Sequence, residues 1–425
     1  MDFYILDYGA ISGGEKLNTE AIQSAIDACS AVGGGRVIVK DGVYMTGTVI
    51  LKSNVNLHIE ESGVLLGSPN CEDYPERDNV KHVDSKCLPR RRNACLIFAE
   101  ECENISITGM GKIDCNGLSF VKEVENYKSG WHFERINAPT PPRAVFFTGC
   151  KNVKLQDVTM VNQPAGWSYW IHDCDFVTCD RLKINADVQY PNNDGIHINS
   201  SRDVTISNCS IVCGDDCIIV RANNASLSEN KVCERVVVTN CNLTSYANGI
   251  RIGWLNDGII RNCTFSNIVM TDTNTGIALK LPFAGDNEYE PGNCPIDLPL
   301  HLVDRGREET LIENLTFNNI VMDGVYATPI AIDIADCKAT KCKAIKNIYF
   351  SNVHARGLEF PYFKGRKQNV IKNITLSNCT FEKVSDEEFP SYKEHGAAAW
   401  DRPLSNIIFS YAENVVLNGT SFSSL

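Results

Sequence analysis

The chain has 425 residues, 43% hydrophobic and 22% charged, and its 40 Lys and Arg against 52 Asp and Glu give a formal net charge of −12. That is an ordinary soluble globular composition, with no run near the ~18 apolar residues of a membrane span. The acidic balance argues against a nucleic-acid partner and disfavours a polyanionic substrate globally, although a local basic pocket would override this because exposed charges are screened beyond about 8–10 Å.

The N-terminus, Met1-Asp2-Phe3-Tyr4-Ile5-Leu6-Asp7, lacks the basic stretch followed by an apolar run that marks an export signal. Together with an odd count of 19 cysteines, this predicts a reduced chain in the cytoplasm. A helix is expected over residues 18–30, with apolar residues at 22, 25, 26 and 29, Asn18 as its cap and Gly33-Gly34-Gly35 as its end. The glycines do not form a phosphate loop, since a strand (Val37-Ile38-Val39) follows and no Lys-Ser/Thr does.

From about residue 95 the sequence repeats. Cys102-Glu103-Asn104-Ile105, Cys150-Lys151-Asn152-Val153 and Cys233-Glu234-Arg235-Val236 share one pattern, and Asn262-Cys263-Thr264-Phe265, Asn314-Leu315-Thr316-Phe317 and Asn347-Ile348-Tyr349-Phe350 share another, with spacings such as 24 (Cys150 to Cys174) and 26 (Asn347 to Asn373). Short strands at this period, with no helical pattern between them, predict an all-β, right-handed parallel β-helix with an N-terminal capping helix. Stacked coils lie about 4.8 Å apart and share one core. Corner asparagines are expected to bond from coil to coil. Cys102, Cys150, Cys209, Cys241, Cys263 and Cys379 are expected to be buried packing residues, not metal ligands. The whole chain, 1–425, is read as one solenoid, with residues 1–68 as cap and first coils and 95–425 as the remaining coils. The irregular stretches 69–93, 116–142, 282–308 and 385–403 are expected to wall a groove.

Two corners carry acid where the repeat carries small polar residues. Tyr190-Pro191-Asn192-Asn193-Asp194-Gly195-Ile196-His197 is followed, 21 residues after Asp194, by Asp215 in Cys213-Gly214-Asp215-Asp216-Cys217. One coil apart, Asp194, Asp215 and Asp216 would crowd together, and like charges at that range raise at least one pKa while another carboxylate stays ionised. That division suits glycoside hydrolysis, in which one acid protonates the leaving oxygen and one carboxylate acts on water or carbon. A calcium site or a solvated acidic turn remain the alternatives. Direct stacking gives ~5 Å, so an inverting enzyme, which needs roughly 6.5–9.5 Å, requires lateral offset of the side chains.

Asn193-Asp194-Gly195-Ile196 and Gly214-Asp215-Asp216-Cys217-Ile218 resemble the polygalacturonase family of glycoside hydrolases, family 28. So do Asp7-Tyr8-Gly9-Ala10, Gly42-x-Tyr44-x-Thr46-Gly47, Leu51-Lys52-Ser53-Asn54-Val55 and Gly111-Lys112-Ile113-Asp114, which look like its bacterial exo-acting branch. The resemblance implies a β-helix and an inverting hydrolase needing no cofactor and no metal, with Asp215 as general acid and Asp194 and Asp216 holding the attacking water. It also implies that His172 and Arg143 lie near the substrate, His172 being alternatively a satisfied corner histidine. Asn248 stands where the family carries histidine. In Gly276-Ile277-Ala278-Leu279-Lys280 only the lysine of Arg-Ile-Lys survives, and an alanine cannot replace a carboxylate-binding guanidinium. Arg221 and Arg251, on the expected groove side, and His197, expected to face solvent and to titrate near pH 6.5 beside Asp194, are the candidates to compensate.

The expected function is exo-acting, inverting hydrolysis of short plant-cell-wall oligosaccharides, with a neutral or singly charged sugar preferred over a long polyanion. A β-helical lyase or epimerase acting on uronates and a non-catalytic carbohydrate-binding relative are the alternatives. An oligosaccharide is the expected partner, without nucleic acid or membrane.

Overall fold

A strand with one apolar face must lay that face against another, and a chain that repeats such strands can do so by winding on itself. The computed structural model describes residues 1–77, 93–124, 133–136, 141, 143–163, 166–281, 308–336, 340–385, 387 and 408–424. Among the described residues, 30 strands join in one parallel sheet from Asp2–Tyr4 to Ser421–Ser424.

Coil pairing fixes which side chains meet. One inward row runs Leu57, Ile107, Leu155, Cys179, Ile206, Val238, Phe265, Phe317, Phe350 and Leu376, each in register with the next. All ten are buried in one continuous core. Phe265, Phe317 and Phe350 stack nearly parallel, with centroids 4.9 and 4.8 Å apart, close to the coil repeat itself.

The corners behave as the repeat predicts. Asn104, Asn152, Asn240, Asn262, Asn314, Asn347 and Asn373 have φ between 53° and 58°, the left-handed region that asparagine tolerates. Their amides form ladders, Asn152 to Asn104 (2.6 Å) and Asn104 to Asn54 (2.8 Å), and again Asn373 to Asn347 (2.7 Å) and Asn347 to Asn314 (2.9 Å). The corner cysteines are buried, and each sends its thiol to the carbonyl two residues before it: Cys150 to Thr148 (3.3 Å), Cys209 to Ser207 (3.2 Å), Cys263 to Arg261 (3.2 Å). A thiol thus packs like a small apolar group while satisfying a carbonyl that the corner turns inward, which a methyl group could not do.

The helix spans Thr19–Ala31 and buries Ile22, Ala25, Ile26 and Cys29 against the first strands, closing the N-terminal end of the core. Asn18 stands at its start without capping it. Its side chain accepts from Ile11 N (2.6 Å) and donates to Lys16 O (2.7 Å), stapling the preceding loop instead. Strands longer than the sequence suggests run through whole coils, Ile259–Leu281 and Thr310–Ile334, because single left-handed asparagines turn the chain without breaking the ladder. An antiparallel pair, Val121–Glu123 with Phe133–Arg135, interrupts the parallel rule and was not foreseen. Of the four irregular stretches expected to wall a groove, 282–308 and 385–403 lie almost wholly outside the described residues, and 69–93 and 116–142 lie about half outside them.

Phe317→Ala removes the middle ring of the stack with neighbours fixed on both sides, and is expected to cost about 3–5 kcal/mol of unfolding free energy, read from the midpoint shift in denaturant titration.

Candidate active site

The acidic corners are held open by the ladder itself. Ser168 N donates to Asp194 O (2.9 Å), Gly195 N to Asp216 O (2.8 Å) and Cys217 N to Asn248 O (2.9 Å), so four successive coils set the backbone heights of the acids. Gly195 and Gly214 make this approach possible: a Cβ at Gly195 would lie 2.3 Å from Cys217 O, and one at Gly214 2.5 Å from Tyr190 O. Asn193 ties the two corners together, accepting from Gly214 N (2.6 Å) and donating to Asp187 O (2.6 Å).

The structure brings Asp194, Asp215 and Asp216 together, one oxygen of each lying within 4.8 Å of the others. Desolvation, then the neighbouring charge of Asp216, pushes the Asp215 carboxyl up to about 7, against the opposing pull of Arg251 and of the Asn192 amide, which donates to Asp215 Oδ2 (2.9 Å). Asp215 therefore holds a proton near neutrality. Its carbonyl is clamped by the Cys213 thiol (3.0 Å) and the Ser245 hydroxyl (2.5 Å). Asn248 Nδ2 donates to Asp216 Oδ1 (2.5 Å), orienting that carboxylate. The three acids also have the spacing of a cation site, but a ligand must be deprotonated to bind metal, and Asp215 would first have to give up its proton.

Outward from the same sheet run two registered rows. The first is Phe98, Phe146, Trp170, His197, Ile219, Arg251 and Ala278; the second is Glu100, Thr148, His172, Asn199 and Arg221. His197 points away from the core, as expected, yet it is only 3% exposed and packs on Trp167 with centroids 4.4 Å apart. Burial, reinforced by Arg221, Arg143, His172 and Arg251, holds its pKa well below the usual histidine value. The expectation of a solvent-facing histidine titrating near pH 6.5 is thus corrected to a buried, neutral one. His172 is fully buried with both nitrogens engaged, Nδ1 with Thr148 Oγ1 (3.0 Å) and Nε2 with Ser226 Oγ (3.2 Å), the arrangement of a satisfied histidine.

The basic candidates are set differently. Arg143 is buried with its guanidinium 3.9 Å from the Trp170 ring and 4.9 Å from Trp167. Arg221 forks onto Asp257 (2.8 and 3.0 Å). Arg251 is partly exposed, stacks 3.9 Å from Trp254 and pairs in register with Ala278. An arginine therefore stands one coil before Ala278. Lys280 lies two residues beyond Ala278, opposite Asp333, whose carboxyl is raised by burial against the partial opposition of Lys364 and Lys280. Sequence reasoning missed Asn192, Trp170, Trp254 and Asp257 as site residues. Asn192 and Trp170 lie within or beside motifs already singled out, whereas Asp257 sits 36 residues from Arg221 and nothing local marks it.

A parallel β-helix carrying a proton-holding carboxyl among further carboxylates, flanked by stacked aromatics and arginines, is the architecture of a carbohydrate-cleaving enzyme. The glycosyl hydrolases family 28 model matches residues 87–295. A "Probable polygalacturonase" of Vitis vinifera is 26% identical over 65% of this chain and 56% of its own length, and one of Arabidopsis thaliana is 28% identical over 99% of this chain and 88% of its own. The crystal structure of an exopolygalacturonase from Thermotoga maritima superposes with a TM-score of 0.68 at 21% identity, covering 99% of this chain and 92% of that one. The chain is a glycosyl hydrolase, similar to family 28 over residues 87–295. Plant proteins stand among its relatives, so the similarity does not single out a bacterial exo-acting branch.

Because folding raises the Asp215 pKa from 3.8 to about 7, the native state binds this proton more tightly than the unfolded chain. That contribution is full below the unfolded value and is lost as pH rises toward 7. Asp215→Asn is therefore expected to raise Tm relative to the parent protein by more at pH 8 than at pH 4, measured by calorimetry at both.

Proposed function

We propose that the enzyme hydrolyses galacturonide linkages in short pectic oligosaccharides from a chain end, with Asp215 as general acid. The proton held by Asp215 within 4.8 Å of two further carboxylates carries this reading. As the glycosidic bond lengthens, Asp215 gives its proton to the leaving oxygen, and the negative charges of the cluster stabilise the positive charge developing on the ring. Asp194 and Asp216 hold and deprotonate the attacking water, with Asn248 fixing the orientation of Asp216. Names of the curated relatives support a galacturonate substrate, as do Arg251 on the first outward row and Lys280 two residues beyond Ala278. This departs from the neutral sugar favoured by net charge, since local cations, not the sum over the chain, act on a bound group. The exo mode rests on the sequence motifs. A reducing, cytoplasmic setting belongs to the same reading: the described cysteines are free thiols, which such a compartment preserves.

The implied stereochemistry is inversion by single displacement. Double displacement with retention, through a covalent glycosyl-enzyme intermediate, is the alternative outcome.

Asp215→Asn is expected to abolish release of galacturonate from trigalacturonate while leaving substrate binding nearly unchanged, and retained turnover would remove Asp215 as the acid. In the parent enzyme kcat/KM should fall as pH rises through about 7, where Asp215 loses its proton. NMR of the first anomer released distinguishes the two displacements: the inverted anomer supports the water-holding pair and the retained one a covalent intermediate. A product absorbing near the ultraviolet band of an unsaturated uronate would signal elimination instead of hydrolysis.

A further inference from the structure

The Asp215 carboxyl accepts an N–H on each of its oxygens. Asp216 N donates to Oδ1 (3.0 Å) and Asn192 Nδ2 to Oδ2 (2.9 Å). The first donor comes with the backbone of the corner itself, whereas the second is a side chain reaching across from the preceding coil. Asp215 is half-buried, so its carboxyl is gripped at both ends while the residue keeps a face open to a substrate.

The segment that carries Asn192 is itself braced. Tyr190 is buried in a small cluster with Val121 and packs edge-on against Phe133, with ring centroids 4.6 Å apart. Val121 and Phe133 belong to the antiparallel pair, the element that the coil repeat does not explain. On the other side Asn193 accepts from Gly214 N and donates to Asp187 O (2.6 Å each), and Gln189 N donates to Asp187 Oδ1 (2.9 Å). Between these anchors Asn192 takes φ of 56°, the left-handed backbone that asparagine adopts readily. In the acid step the Asp215 O–H bond breaks and its proton bonds to the glycosidic oxygen. That oxygen keeps the electron pair of the broken C–O bond, and Asp215 is left as a carboxylate. A hydrogen bond from a neutral amide to a carboxylate is shorter and stronger than the same bond to a neutral carboxyl. The hold of Asn192 therefore tightens as the proton leaves, and an interaction stronger in the transition state than in the ground state lowers the barrier.

We infer that Asn192 is a positioning residue for the general acid, its amide aiming the Asp215 carboxyl and stabilising the carboxylate that proton transfer leaves behind. This rests on Asp215 acting as the acid in the reaction proposed above and deepens it. The antiparallel pair acquires a role as well, as the brace that sets the height of Asn192 over the acidic corner.

Asn192→Gly removes the donor and keeps a residue at ease with left-handed backbone. The charged and titratable groups facing Asp215 are Asp216, Asp194, Arg251 and the Cys213 thiol, and the variant alters none of them. In carbon-13 NMR of aspartate-labelled protein, the Asp215 carboxyl signal is identified by its loss in Asp215→Asn. Its titration midpoint is expected to rise by about one pH unit in Asn192→Gly. A midpoint that stays or falls would overturn the inference whatever the enzyme hydrolyses. With trigalacturonate, kcat is expected to fall roughly tenfold while KM stays within about twofold, and the descending limb of kcat/KM should move up in pH with the NMR midpoint. A loss carried by KM, with that limb unmoved, would show a merely structural or binding role and overturn the inference while leaving the galacturonide reading intact. Should the glycine variant not fold, Asn192→Asp keeps the side-chain size and replaces the donor by a like charge, so the midpoint should rise further still. Failure of the parent enzyme to cleave trigalacturonate would overturn the galacturonide reading, and the NMR titration would still decide the hold of Asn192 on Asp215.

Discussion

Parallel pairing of one coil on the next, in fixed register, is the constraint from which the rest of this molecule follows. It stacks Phe265, Phe317 and Phe350 into a column and aligns the corner asparagines into ladders. It also places Asp194 one coil from Asp215 and Asp216 with no freedom to separate. Carboxylates at that spacing would drift apart on a flexible loop. Here the hydrogen bonds from Ser168, Gly195 and Cys217 carry the ladder straight through the acidic corners, so the sheet absorbs the repulsion and the site retains it as a displaced proton equilibrium on Asp215.

The proton is kept by a balance of opposing influences, not by burial alone. Desolvation and Asp216 raise the Asp215 pKa, while Arg251 and the Asn192 amide lower it, and the result falls near neutrality. A general acid is most effective when its pKa lies near the working pH, and either set of influences acting alone would move it away. Asn248 contributes from the other side. Standing one coil beyond Asp216, it binds that carboxylate through an amide that does not titrate, so the amide's own charge does not vary with pH.

The fold is legible in the sequence because a repeat declares itself: period, apolar alternation and corner asparagines each report the same coil. The acids are legible for the same reason, as residues that break an otherwise uniform corner. What escapes is long-range pairing. Asp257 is a single acidic residue among many until the fold sets it against Arg221, and the exposure of His197 cannot be read from alternation, which says which way a side chain points but not what covers it. Asn18 illustrates the competing claims on one side chain: its position suits a cap, yet the carbonyls of Ile11 and Lys16 lie within reach and take the amide. The antiparallel pair at Val121–Glu123 lies in a stretch with no period, where repeat reasoning has nothing to act on.

A net charge of −12 and a group of arginines close to the acidic corners are compatible because the two operate at different distances. Exposed charges elsewhere on the solenoid are screened by salt, whereas Arg143, Arg221 and Arg251 act across a few ångströms of protein. Each guanidinium is also immobilised before any substrate arrives, Arg143 against Trp170, Arg221 by its fork onto Asp257 and Arg251 against Trp254. A fixed cation costs no reorganisation when an anion enters or charge develops, so its field is worth more than that of a mobile surface lysine. The planar group of arginine, able to stack and to fork at once, is what allows this face to be both rigid and positively charged on an acidic protein.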